Sequence, residues 1–159
     1  MRRHDREITD RQELIAVMKH CAVCRLALND DNGYPYLLPL NFGLLEDGST
    51  LQLVFHSALE GRKLELLQKD SRASFEMDGR HQLQYFPEKG YCTFAYESVI
   101  GRGHIAILND ESEKVAALDA IMEHYHPEGK AWYSPVAIPR TIVYALTVES
   151  LTGKRKQPK

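Results

Sequence analysis

The sequence predicts a mainly β fold: a small closed or split antiparallel barrel with peripheral α-helices. Three observations carry this. Six apolar stretches with strand character lie at residues 22–28, 34–44, 50–56, 72–77, 92–108 and 141–151. Clusters of Asn, Asp and Gly separate the early ones, as hairpin turns require. Helical patterns do not alternate regularly with the strands, so crossover units and a doubly wound sheet are disfavoured. A length of 159 residues suits a single domain over 1–159.

The first element is a short helix from Thr9 to about His20. Thr9 with Gln12, or Asp10 with Glu13, has capping-box spacing ahead of Leu14, Ile15, Val17 and Met18. Residues 22–28 and 34–44 form a hairpin about Asn29-Asp30-Asp31-Asn32-Gly33, whose paired carboxylates need no role beyond a solvated turn. Glu46-Asp47-Gly48-Ser49 makes the next turn, and residues 50–56 complete a three-stranded meander. Ser57 and Glu60 again have capping-box spacing, which starts a second short helix near Ser57 and ends it near Asp70. Residues 72–77 and 92–108 are strands, the latter bent or bulged at Gly101 and Gly103, and 79–90 reads as loop. From 110 to 125 the pattern is helical: Asn109 or Asp110 caps it, Glu111 and Glu113 suit its positive end, and Val115, Leu118, Ile121 and Met122 form the apolar stripe. A Pro-rich loop with Trp132 and Tyr133 leads to the last strand.

Composition narrows the function. Hydrophobic residues are 43% and charged residues 26%, which excludes disordered and collagen-like classes. A formal charge of -2 lacks the basic excess of a general nucleic-acid binder. The basic ends, Arg2, Arg3 and Arg6 at one and Lys154, Arg155, Lys156 and Lys159 at the other, read as solvated tails. No run of about 18 apolar residues and no signal-peptide core is visible, so no membrane is expected and the cytoplasm is. Three cysteines, an odd number, suit reduced thiols, and Cys21-x-x-Cys24 lacks a second pair to complete a zinc site. His124 and His126 flank Tyr125 at a helix end, where their side chains diverge, so no metal is expected.

The chemistry-bearing stretch is the junction LVFHSALEGRK, residues 53–63. A helix beginning near Ser57 would gather free amides, a hydroxyl and the cations Arg62 and Lys63 at one spot, which favours a phosphate. The same residues also serve a plain helix cap with solvated cations.

This junction resembles the phosphate-binding segment of the pyridoxamine 5'-phosphate oxidase-like FMN-binding split barrels. In order along the chain, RRHDREI (2–8), GYPYLLPLNF (33–42), the 56–63 segment, Phe75-Glu76, YESVIGRG (96–103), Glu113-Lys114 and LTGKR (151–155) resemble the nitroimidazole-resistance (Nim) branch. The resemblance implies a homodimer of six-stranded antiparallel split barrels with FMN at the dimer interface. It implies that Arg62 and Lys63 hold the phosphate with help from Ser57, and that the backbone of Pro39, Leu40, Asn41 and Phe42 lines the isoalloxazine. His56 lies against the flavin, Ser98 is near the ring, and Trp132 comes from the other subunit. His56 is then the catalytic candidate, as a proton donor to a reduced substrate or as a packing contact only. The implied activity is reduction of a small aromatic molecule through FMN, a nitro compound among the candidates. Alternatives are a non-enzymatic flavin or haem binder, a deazaflavin cofactor, or pyridoxamine-phosphate oxidation, against which the chain lacks that enzyme's additional C-terminal substrate-binding region.

Overall fold

Turn chemistry sets the first hairpins of the computed structural model, which describes residues 3–158; Met1, Arg2 and Lys159, the outermost parts of the charged tails, lie outside them. A short strand β1 (Glu7–Ile8) precedes helix α1 (Arg11–His20), whose cap is Asp10: its carboxylate accepts from the Glu13 amide at 2.9 Å. β2 (Cys24–Leu28) and β3 (Tyr36–Leu40) form the expected hairpin. β4 (Gly43–Asp47) pairs with β5 (Thr50–Ser57) across Gly48, whose φ of 57° is the left-handed conformation that glycine tolerates. Helix α2 (Arg62–Lys69) leads to the long strands β6 (Arg72–Phe86) and β7 (Tyr91–Leu108); helix α3 (Glu111–Tyr125) and β8 (Ile142–Lys156) complete the order.

The strand path runs β3-β2-β6-β7-β8-β5-β4, with β1 joined to β8. β3 and β4 therefore sit at the two extremes of the path, yet only Asn41 and Phe42 separate them in sequence. At 3.8 Å per residue the link is too short for a flat sheet, so the sheet curls until the end of β3 and the start of β4 lie close, while the two edge strands are not neighbours in the strand path of the described residues. This is the barrel.

Three expectations change. The sheet has eight strands where six were expected, because the 34–44 run breaks in two and because Glu7–Ile8 adds a strand. The early strands form two hairpins at opposite edges and not a meander. The supposed loop at 79–90 is the far part of a long β6–β7 hairpin, closed by a 3₁₀ turn and Gly90 at φ 63°; Gln82-Leu83-Gln84-Tyr85 does alternate, but the run is short and its apolar members, Leu83 and Tyr85, are exposed. The irregularity foreseen near Gly101 and Gly103 is a register shift between Arg102 and Gly103. A Cβ at Gly103 would lie 1.9 Å from the Thr147 carbonyl oxygen.

Two apolar clusters hold the fold. Inside the barrel, Leu26, Phe55, Phe75, Met77, Val99 and Tyr144 pack with Leu14, Ile15, Val17 and Met18 of α1 and with Leu66 and Leu67 of α2. Full burial of each large side chain contributes roughly 1.5–3 kcal/mol. Outside, α3 covers Val54, Val143 and Ala145 with Ala117, Ala120 and Ile121; of the expected stripe only Ile121 is buried, while Val115, Leu118 and Met122 are partly exposed. A Cβ at Gly43 would lie 2.5 Å from the backbone of Ala120 and Ile121, so glycine there lets α3 approach β4.

Candidate functional site

The chain leaves the barrel at the end of β5. His56 lies opposite Val143 and Ser57 opposite Ile142 on β8. Helix α2 does not begin at Ser57: its N-cap is Gly61, with φ 141°, and the Ser57 hydroxyl donates to the Ala58 carbonyl at 3.0 Å. The open amides thus belong to the turn around Gly61, next to Arg62 and Lys63, and Ser57 stands a few residues upstream.

The two cations differ. Arg62 Nη2 donates to Asp30 Oδ1 at 2.7 Å and Nη1 to Glu65 Oε2 at 3.2 Å, so its charge is already answered. Lys63 makes no ion pair among the described residues. Its Nζ stands 5.9 Å from the centroid of the buried Tyr144 ring, and burial pushes its pKa down. His56 is exposed at the end of its strand, yet its pKa is pushed down, by partial desolvation of the ring first and by the nearby Lys63 charge second, which favours the neutral imidazole. A half-buried ammonium without a carboxylate, beside an imidazole it depresses, suits an anion arriving from outside the chain.

The link between β3 and β4 borders this junction, since Gly43 is level with Val54, two residues from His56. Phe42 is fully buried; its ring packs on His124 at 4.4 Å and its N–H donates to the Tyr125 hydroxyl at 3.2 Å. That amide is therefore engaged, while Pro39 and Asn41 are exposed. His124 and Tyr125 are fold anchors: His124 Nε2 is 2.8 Å from the Cys21 carbonyl, and the Tyr125 hydroxyl donates to that of Ala22. Cys21 and Cys24 are buried free thiols, the former pushed up to about 11 by burial.

Ser98 is not brought to the junction. It is level with Asp78 and Lys154, whereas His56 is level, through Val143, with Leu108, and roughly 30 Å of strand separates Ser98 from Leu108 along β7. Trp132 lies beyond α3, 80% exposed. Ser98 belongs to a different feature, the outer face of β3, β2, β6 and β7, which α3 leaves uncovered. There Leu37 and Ile100 are 61% and 56% exposed. A cavity of about 290 Å³ opens on that face, lined among others by Ala27, Pro35, Ser74, Arg102 and His104.

Sequence reasoning missed a buried charge cluster near Ser98. Glu97 is 1% exposed and lies 3.2 Å from Arg80 Nε, 3.3 Å from Arg155 Nε and 3.5 Å from His20 Nδ1, while Arg155 also reaches Glu13 at 2.8 Å. Nothing local marks this Glu as buried, although it and Arg155 both fall within the quoted family-like segments.

The profile of the family described as pyridoxamine 5'-phosphate oxidase matches residues 10–155. None of the curated proteins matches. Among solved structures, a candidate 5-nitroimidazole antibiotic resistance protein from Bacteroides thetaiotaomicron VPI-5482 is 32% identical, with a TM-score of 0.81 over 93% of this chain and 85% of that one. The FAD and haem binding protein from Mycobacterium smegmatis is 20% identical, with a TM-score of 0.81 over 96% and 74% of the two chains. A flavocytochrome from Azotobacter vinelandii is 17% identical, with a TM-score of 0.79 over 99% and 72%. These last two show likeness of fold.

Proposed function

Because the chain belongs to the pyridoxamine 5'-phosphate oxidase family, in its Nim-like branch, with the flavin-binding barrel of that family, we propose that it is an FMN-dependent oxidoreductase acting on a small aromatic acceptor. The observation that carries this reading is Lys63, the half-buried cation without a counter-charge beside His56. A phosphate dianion compensates Lys63, with Arg62 and Ser57 around it, and the backbone of Pro39, Leu40 and Asn41, exposed at Pro39 and Asn41, continues from there to the ring. Bound FMN supplies the electron-carrying chemistry. The protein's part is to hold it and to manage protons. Burial is the larger cause that depresses His56 and the Lys63 charge the lesser; a dianion at Lys63 offsets the lesser one and to that extent favours a proton on the His56 ring in the loaded site.

The uncovered face with Leu37 and Ile100 supports a homodimer over single domains of residues 1–159, with Ser98 and Trp132 reaching the flavin from the second copy. A nitro compound is one acceptor, and the reducing cytoplasm is the compartment, in line with the free cysteines. No helix among the described residues is long and apolar enough to cross a membrane.

The test is the absorption spectrum of the purified protein, with release and mass identification of its chromophore. Riboflavin monophosphate supports the reading. FAD or haem, the ligands of the M. smegmatis neighbour, moves the protein to a larger flavin or to a binding role. A colourless protein that refuses added FMN overturns it.

A further inference from the structure

The β2–β3 turn, read from sequence as solvated, grips α2 at three successive residues. Asn29 Nδ2 donates to Asp70 Oδ2 at 2.8 Å, at the helix's C-cap; Asp31 pairs with Lys69; and Asp30 accepts from Arg62 at the first helical position. The three contacts are not equal. Asp31 and Lys69 are both exposed, whereas the Asp30 side chain is 8% exposed and its Oδ1 also faces the Asn32 amide at 3.4 Å. The turn carbonyl of Asp30 accepts from Gly33 N at 3.3 Å, so the carboxylate is fixed from its own backbone outward.

A carboxylate beside a site for a dianion costs affinity by repulsion unless it does something for the cation between them. Asp30 and Glu65 each engage one terminal nitrogen of Arg62, leaving further N–H groups of the five-donor guanidinium in a fixed plane. We propose that Asp30 is a positioning residue that acts through Arg62, orienting it for the phosphate of the flavin. This rests on the reading of the junction as a phosphate site. A guanidinium locked before the ligand arrives loses less rotamer freedom on binding it.

The experiment titrates FMN and riboflavin, which lacks the phosphate, by quenching of flavin fluorescence. Wild type, Asp30→Asn, Arg62→Ala, the double variant and Asp31→Asn are compared. Asp30→Asn weakens FMN by about tenfold and leaves riboflavin within about twofold. In the Arg62→Ala background it has no further effect. Asp31→Asn, in the same turn, binds both flavins as wild type does. Should Asp30→Asn not fold, Asp30→Ser repeats the test with an acceptor kept for the turn. An Asp30→Asn protein that holds FMN as tightly as wild type or tighter, or that loses the same factor without Arg62, overturns the inference alone. A wild type that does not prefer FMN over riboflavin overturns the phosphate site itself, and the inference with it.

Discussion

Replacing Lys63 by Met should change flavin binding and apo-protein stability independently. The ammonium is half-buried, has no carboxylate partner, and leans on the Tyr144 ring at 5.9 Å. A cation over an aromatic face is worth roughly 0.5–1 kcal/mol at such sites, set against the cost of partial burial that already depresses the lysine pKa. Met keeps the stem and drops the charge, so the flavin-free protein should melt at the wild-type temperature or slightly above. A charge-assisted bond to phosphate is worth about 1.5–3 kcal/mol, so FMN should bind about 10- to 150-fold more weakly. Melting with added flavin makes this visible. At FMN one hundred times the wild-type dissociation constant, wild type gains about 2.7 kcal/mol, and a variant weakened a hundredfold gains only about 0.4 kcal/mol. Riboflavin should protect both proteins alike. A variant that retains the full FMN shift, or that loses riboflavin equally, refutes the assignment of Lys63 to the phosphate.

Other expectations are as direct. His56 has a folded pKa held below 6.5 by burial and then by Lys63; as pH falls through 6.5 the unfolded chain takes the proton first, so stability present above 6.5 is lost toward the lower folded value. His56→Gln should flatten urea-denaturation midpoints over that acid range; an unchanged slope counts against it. Glu97→Ala removes the buried carboxylate shared by Arg80 and Arg155, and since Arg80 is exposed and Arg155 keeps Glu13 the cost should be that of lost charge-assisted hydrogen bonds, about 1.5–3 kcal/mol in chemical denaturation; a loss below about 1 kcal/mol would show that the contacts contribute little. Gly43→Ala brings a Cβ to 2.5 Å from α3 backbone that has no side chain to move aside, for about 1–3 kcal/mol of destabilisation; wild-type stability would mean that α3 shifts freely.

What was legible in the chain is what local chemistry decides. Asp10 and Asp110 cap their helices as their spacing indicates, and Asp- and Gly-containing clusters turn both hairpins. The break at Asn41-Phe42 was not legible, because both halves of that run are apolar and alternation does not record which edge of a sheet a strand joins. Nor was the true start of α2. Ser57 and Glu60 satisfy a capping pattern, but the left-handed backbone of Gly61 decides where the helix begins. At the site, the types of residue were visible and their partners were not. Asp30 meets Arg62 and Glu97 meets Arg155 only after distant strands have come together.

The pairing of β1 with β8 bears on how the molecule is made. Glu7 lies opposite Lys154 and Ile8 opposite Gly153, residues from opposite ends of the sequence, and β2 likewise waits for β6. β1 therefore has no sheet partner until β8 is in place, and the two-residue strand adds a contact of the longest sequence separation. Closures of this kind, β1 on β8 and β2 on β6, raise the sequence separation of the contacts that folding must form and so slow it relative to a fold of local hairpins alone.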